Sequence, residues 1–521
     1  MNLKYIIPAL MAGVALIFSS CEDGLDIPKH GNMGGQEDFY KTDADAEQAV
    51  ASMYTSLNGA YYNWFFVKNL LADDLWTGGG SRGDNSDMER LNEYTFDTDH
   101  GMIAGVYSSM YNIIYKANLI IEKVEPDTPV KAQAVAEAYF FRGWAHFELT
   151  SLWGTAPVVD HLLQPDEYHQ SNSTTEELWA QTESDFRMAL NSNALISKSD
   201  VNDAAATIRV TPEVARAMLG KTLLFEGKYA EAAKELDAVI NSGKYDLYRG
   251  DLDKLHHAVA NGCCEAMIET QRRNDPEHTW DVMSMEYLMM GWRTALLNLG
   301  GLNDFIANGT YGFMNPRKSL YDAFVAEEGA DGYRLKATMR TYEDLSNEYG
   351  LSLVSGERLV GHEGIFNWKN RALKEDCIMD ASYFQGFQYI NRRIMRYAEV
   401  LLLAAEAHAM SGGSKATEYV NKIRERAHLQ PLANVTMEDI KNEKRLELCF
   451  ESVRFQDLVR WGDAERVLGE QGKQVPALRS DGIDNAAFTN SSYGFKSKHK
   501  LLPIPRKEIE LNKNMKQNPE W

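Results

Sequence analysis

The sequence predicts a mainly α fold, a scaffold of packed helix pairs that carries one long, loop-rich and aromatic-rich insertion. Three observations predict it. Apolar residues recur at helical spacing through much of the chain. Two distant stretches place small and large residues at matching offsets around a turn. The segment between them loses that period and gains glycine, asparagine and aromatic rings.

The chain opens with "MNLKYIIPALMAGVALIFSSCEDGLD". Its apolar run, Ile6 to Phe18, falls short of the ~20 residues that a membrane-spanning helix needs. Lys4 before the run and Ser19, Ser20 and Cys21 after it make a secretory signal that ends at a cysteine, a pattern that resembles a bacterial lipobox. That resemblance implies removal of residues 1–20 and lipidation of Cys21, whose acyl chains then hold the protein to a membrane. A plain secretory signal with a chance cysteine is the alternative. Glu22 and Asp23 resemble an acidic surface-export signal, and residues 21–36 are Gly-rich and polar enough to read as a flexible tether.

Residues 37–521 are read as one composite domain, with the scaffold over about 37–245 and 394–521 and the insertion over about 246–393. The full chain's formal net charge of -21 disfavours nucleic acid as a partner, because phosphates would be repelled. Of five cysteines, the four after Cys21 do not make a disulfide framework, and adjacent Cys263 and Cys264 are not a CxxC pair. They read as buried or free thiols.

In "ADAEQAVASMYTSLNGAY", Ala46, Ala49, Val50, Met53, Tyr54 and Leu57 fall on one helix face. "YSSMYNIIYKANLIIEKV" repeats the period, and "QAVAEAYFFRGWAHFELTSLWG" sets Val135, Tyr139, Gly143 and Phe147 four apart. In "EVARAMLGKTLLFEGKYAEAAKELDAVINSGKY", Gly220, Leu223, Ala232, Leu236 and Val239 occupy the close-packing offsets of a tetratricopeptide helix pair. Ala404, Ala407, Ala416, Val420 and Ile423 take the same offsets around "SGG" in a second copy. Small residues there let helices approach; larger ones fill the groove between them.

Between the two copies, "NLGGLNDFIANGTYGFMNPRKS" and "VSGERLVGHEGIFNW" carry turn signals and weak periodicity. Long irregular segments in compact proteins are usually functional or disordered, and the density of Trp and Tyr argues against disorder. A loop-rich face on a helical scaffold follows.

No catalytic constellation emerges. "GGGSRGDN" lacks the P-loop spacing, no GxSxG, HExxH or paired CxxC occurs, and no loop has the EF-hand pattern. "EKRLELCFESVRFQDLVRW", read as one helix, stacks Glu443, Glu447 and Glu451 with arginines interleaved. Neighbouring arginines keep carboxylates ionised, so an ion-pair network is expected rather than acid/base work. No cofactor, metal site or enzyme activity is predicted.

The order "NIIYKANLIIEKV", "AEAYFFRGWAHFELTSLWGTAPVV", "RYAEVLLLAAEAHAMSGG", "EKRLELCFESVRFQDLVRWG" and the ending "LLPIPRKEIELNKNMKQNPEW" resembles the SusD/RagB family of outer-membrane nutrient-binding lipoproteins. The blocks run from about residue 40 to the C-terminus and skip the insertion. The resemblance implies a non-enzymatic surface lipoprotein that docks on a SusC-like TonB-dependent transporter and presents a variable loop face to an oligo- or polysaccharide. Capture of peptides or another nutrient with the same transporter partnership is the alternative.

Binding sites vary across that family, so site residues are chosen by composition and context. Sugars stack an apolar face on aromatic rings while polar side chains take the hydroxyls. In "LLADDLWTGGGSRGDN", Trp76 is the expected platform, with Asp73, Asp74, Arg82 and Asn85 as hydroxyl partners; a core role for Trp76 stays open. The Arg82-Gly83-Asp84 tripeptide is read as coincidence rather than an adhesion motif. Trp280, Trp292 and Tyr311 in the insertion are the next candidates. Trp368 ranks lower, and Trp144, Trp153 and Trp461 are read as structural.

Overall fold

The computed structural model describes residues 39–378 and 386–521. The signal, the lipidation at Cys21 and the tether lie outside the described residues. Helix α1 (Asp43–Leu70) begins at a capping box: Thr42 accepts from the Asp45 amide at 3.1 Å, and Asp45 from the Thr42 amide at 2.8 Å. This satisfies donors that a helix start otherwise leaves unpaired. Ala46, Ala49, Val50, Met53 and Leu57 are buried. Tyr54 is half-buried, and its hydroxyl reaches Glu137 at 3.1 Å.

Strand β1 (Leu75–Gly78), helix α2 (Ser86–Asn92) and helix α3 (Gly101–Lys123) follow. Helix α4 (Pro129–Trp153) starts with proline behind a Thr128 cap and stops at Gly154, whose φ of 72° suits a residue without Cβ. Helices α5 (Thr175–Asn191), α6 (Pro212–Phe225) and α7 (Tyr229–Asn241) complete the N-terminal part. Each packs on the next in the series α1, α3, α4, α5, α6, α7.

The two tetratricopeptide-like stretches meet in space. Past the insertion, helices α8 (Tyr397–Ser411) and α9 (Ala416–Arg426) form the second pair, and α8 packs on α7. A Cβ on Gly220 would stand 2.6 Å from Leu236 Cγ. That contact is what lets α6 and α7 close. Gly220→Leu is therefore expected to cost about 1–3 kcal/mol or more through overpacking. Thermal or urea denaturation checks it; an unshifted midpoint would mean that the pair packs by other residues.

The insertion holds more regular structure than its periodicity suggests, including helices Lys318–Glu328, Tyr333–Thr338 and Tyr342–Tyr349. Its strand β2 (Ala266–Thr270) begins the segment that returns at strand β5 (Arg392–Arg396), and the two pair antiparallel, closing the insertion at its base. Strand β3 (Phe313–Pro316) pairs antiparallel with β1, Trp76 opposite Asn315. The short strand β4 (Leu359–Val360) joins the C-terminal hairpin of β6 (Gln474–Arg479) and β7 (Gly482–Ala487). Trp292, Leu302, Leu345, Phe366 and Trp368 make a second core inside the insertion. Its aromatic surplus is thus partly structural.

The expected single helix around Glu443 to Trp461 is two helices. Helix α10 (Met437–Glu447) ends before Phe450 and Ser452, which take φ of 68° and 63°, and a helix resumes at Arg454–Arg460. Asn69 of α1 holds the break: its Oδ1 accepts from the Ser452 amide at 3.1 Å and its amide donates to Ser452 Oγ at 2.8 Å. Glu451 therefore lies outside α10.

Among the described residues no helix is long and apolar enough to cross a membrane. Among the described residues Cys263, Cys264, Cys377 and Cys449 form no disulfide.

Candidate functional site

The turn between α1 and β1 delivers Asp73 and Asp74 into an arginine cluster. Asp73 accepts from Arg454 Nε at 2.8 Å and lies 3.0 Å from Arg445 Nη2; Asp74 accepts from Arg445 Nε at 2.9 Å. Burial alone would raise the Asp73 carboxyl, but Arg454 and Arg445 outweigh it and hold it at about 2. Burial, together with the Asp73 charge, pushes Asp74 up. Both acids are internal ion-pair partners, which corrects the expectation that they take ligand hydroxyls.

Trp76 is only 5% exposed. The Arg317 guanidinium lies 3.5 Å from its ring centroid, and its indole N–H donates to Glu363 at 2.8 Å. A ring so covered presents no platform, and the core role left open for it is the one it takes. Trp292 is corrected likewise: its N–H donates to the Asn367 carbonyl at 3.1 Å, and its ring packs on Phe366 and Trp368 inside the insertion core. Trp368 lies in the same core; Trp144 and Trp153 are buried in the scaffold. Trp461 donates to Glu406 at 2.9 Å.

The glycine row after Trp76 leads to a different set of residues. Gly78 and Gly79 have φ of 79° and 98°, and a Cβ on Gly78 would stand 2.3 Å from the Gly312 carbonyl oxygen. Only glycine permits that approach. The Gly79 amide donates to the same carbonyl at 2.8 Å, so the loop lies flat against the segment that carries Tyr311. Gly80 donates to Asp84 Oδ2 at 2.6 Å, and that carboxylate faces Arg293 at 3.9 Å. The Arg293 guanidinium sits 5.9 Å from the Tyr311 ring centroid.

Tyr311, half-buried, packs against the small cluster of Leu288, Ile378 and Phe387. Trp280 meets Phe387 edge to face, with centroids 4.9 Å apart and 57% of its surface exposed. One contact network therefore links Trp280, Phe387, Tyr311, Arg293 and Asp84. It offers an exposed indole, a phenol, a guanidinium and a carboxylate beside a glycine row.

Arg82 and Asn85 sit at the edge of this set with partners of their own. Arg82 pairs with Glu93 and, at 3.2 Å, with Glu89, and its guanidinium lies 5.2 Å from the Phe488 ring centroid. The Asn85 side chain caps α2 by accepting from the Met88 amide at 3.1 Å. Arg293, Asp84 and Phe387 escaped sequence reasoning. For Arg293 a signal was present, a cation beside Trp292 in a glycine-flanked loop; Asp84 was set aside with its tripeptide.

The expected ion-pair network of the glutamate stretch is present, but its cations come mostly from other elements. Glu447 lies 2.6 Å from Arg396 and 3.1 Å from Arg334, and pairs with Arg426. Glu443 lies 2.6 Å from Arg334, and Glu451 lies 2.6 Å from Arg396. Burial would raise Glu447 and Glu451, yet the surrounding cations hold both below the usual carboxylate range. That is the wrong state for a general acid. Among the described residues no group of three or more His, Cys, Asp or Glu could hold a metal ion.

Two sequence models of known families match the chain, one described as the SusD family over residues 276–521 and one as starch-binding, associating with the outer membrane, over residues 34–224. A "SusD-like protein P2" of Formosa agariphila is 27% identical, the match covering 92% of this chain and 93% of that protein. Among solved structures, a laminarin-binding SusD-like protein superposes with a TM-score of 0.78 at 24% identity, over 92% of this chain and all of that one. Surface glycan-binding protein A from Bacteroides fluxus gives 0.75 at 25% identity with the same coverage. With matches to both halves of the sequence and a shared architecture of helix pairs and insertion, the chain belongs to the SusD family.

Proposed function

We propose that this protein is a non-catalytic, glycan-binding lipoprotein of the outer-membrane surface, anchored through Cys21, that captures an oligo- or polysaccharide and passes it to a SusC-like transporter. The observation that carries the glycan reading is the network of Trp280, Tyr311, Arg293 and Asp84. An exposed indole supplies the apolar face on which a sugar ring stacks, and the neighbouring charged groups form directional bonds to hydroxyls. The names of the similar structures, laminarin-binding and surface glycan-binding, support the same class. The signal ending at Cys21 and the family's association with the outer membrane support the anchor and the transporter partnership.

Titration calorimetry with laminarin and a panel of other polysaccharides tests it. Trp280→Ala is expected to weaken binding about thirtyfold, or about 2 kcal/mol, the lower edge of hot-spot behaviour. Tyr311→Ala is expected to weaken it less, since that ring is half-covered. Binding unchanged in both folded variants would remove this face as the ligand site. Binding of peptides in place of any glycan would favour the other nutrient class.

A further inference from the structure

A cleft of about 330 Å3 lies away from the Tyr311 network, between the N-terminal half of α1, the turn Ala205–Ile208 and the end of β2. Its volume is at the small end of ligand pockets, which run from about 300 to 1,000 Å3. The lining is of two kinds. Val50, Tyr54 and Ile208 supply apolar surface, and Asn58, Arg209 and Thr270 supply polar groups.

Two of those polar groups have unfilled bonding capacity. Thr270 is 4% exposed, and its Oγ1 has no hydrogen-bond partner. Arg209 spends Nε on Glu137 at 2.7 Å and Nη1 on Glu47 at 2.8 Å, which leaves Nη2 buried and unpaired. A buried polar group without a partner is costly. Both belong to residues that line this one cleft, so a ligand seated there is placed to supply the missing partner.

The charges decide which ligand. Arg209 already faces two carboxylates, so the guanidinium is fully compensated and an added anion would meet Glu47 and Glu137. Thr270 Oγ1 both donates and accepts, and Arg209 Nη2 only donates. A hydroxyl oxygen satisfies both. We propose that this cleft is a second ligand site, which takes a neutral, hydroxyl-rich molecule of mono- or disaccharide size with its apolar face toward Val50, Tyr54 and Ile208.

Saturation-transfer NMR titration of the full chain with glucose and laminaribiose, and with glutamate and putrescine as charged counterparts, tests this. Ile208 is half exposed, so Ile208→Trp fills the mouth of the cleft without emptying the core. It is expected to weaken binding of at least one of the sugars at least tenfold, and Thr270→Val to do the same with an unchanged melting temperature. Trp280→Ala is expected to leave that component intact, which separates this site from the Tyr311 network. The proposal is overturned if neither sugar shows a component that Ile208→Trp removes, if that component also vanishes in Trp280→Ala, or if glutamate or putrescine binds there as well as the sugars do.

Discussion

Glu447→Ala is expected to destabilise the fold by about 3–5 kcal/mol, the range for removing one partner of a buried ion pair. Arg334, Arg396 and Arg426 all converge on this carboxylate, and all four residues are buried. Glu443, Glu265, Glu328 and Glu451 neutralise part of the remaining charge through their own contacts with those arginines. Among the described residues no other carboxylate pairs with all three guanidinium groups as Glu447 does. The loss is structural as well as electrostatic: Arg396 ends β5, Arg426 ends α9, and Arg334 belongs to the helix Tyr333–Thr338 of the insertion. Glu447 thus ties the scaffold to the insertion. Glu447→Gln, which keeps the shape and one acceptor oxygen, is expected to cost less. Urea denaturation of the three proteins checks this; a Glu447→Ala protein as stable as wild type would mean that the remaining glutamates compensate the arginines by themselves.

The parts of this fold legible in the sequence are those governed by local rules. Helix periodicity marked the inner face of α1, and the pairing of Gly220 with Leu236 could be read because a close helix approach demands a small residue at a fixed offset. The break after α10 had no such mark. Phe450 and Ser452 occupy the left-handed region without being glycine or asparagine, and the group that holds them, Asn69, lies far back in the chain. Trp76 shows the same limit at the candidate site. Its setting between acids and glycines resembles a binding loop, and what decides its role is Arg317, which arrives from a distant segment and covers the ring. Tyr311 and Trp280 were identifiable as aromatic residues in a loop context. That Phe387 and Arg293 join them depends on tertiary contacts that no spacing encodes.

That dependence has a consequence for how the site is held. The glycine row lies against the Gly312 carbonyl, Arg293 bridges Asp84 and Tyr311, and β1 pairs with β3 on either side of the same junction. The scaffold supplies β1 and the insertion supplies β3. The position of the exposed aromatic face therefore rests on the same scaffold-to-insertion union that Glu447 secures deeper in the core.

Stability is expected to fall steeply as the pH drops from neutral to about 5, because burial holds several histidines neutral, His146, His362 and His499 among them and His256 also well below the usual imidazole range. His146, His362 and His499 are each pushed down to about 3, burial being the main cause in every case. Arg142 adds to the effect at His146, and Lys498 and Lys496 add to it at His499. The ring nitrogens are committed accordingly: His362 Nδ1 accepts from the Gly364 amide at 3.0 Å and His499 Nδ1 from the Lys496 amide at 2.8 Å, bonds that a protonated nitrogen cannot accept. His499 is also enclosed by the rings of Tyr94, Phe96, Phe495 and Trp521. A folded pKa below the unfolded value of about 6.5 gives a contribution that is complete above pH 6.5 and is lost as the pH falls, since only the unfolded chain then takes up the proton. At pH 5 this comes to roughly 2 kcal/mol for each histidine, or about 6 kcal/mol for the three. Carboxylates held low by arginines, such as Glu447, keep their contribution until the pH falls below the ordinary range for glutamate, so they do not produce this loss. Unfolding free energies from urea titrations between pH 7 and 5 measure the slope directly. His499→Phe keeps the aromatic enclosure and removes one titrating group, so it is expected to start less stable at pH 7 and to lose roughly 2 kcal/mol less than wild type between pH 7 and 5. A slope identical to wild type in that variant would mean that His499 takes up its proton in the folded chain.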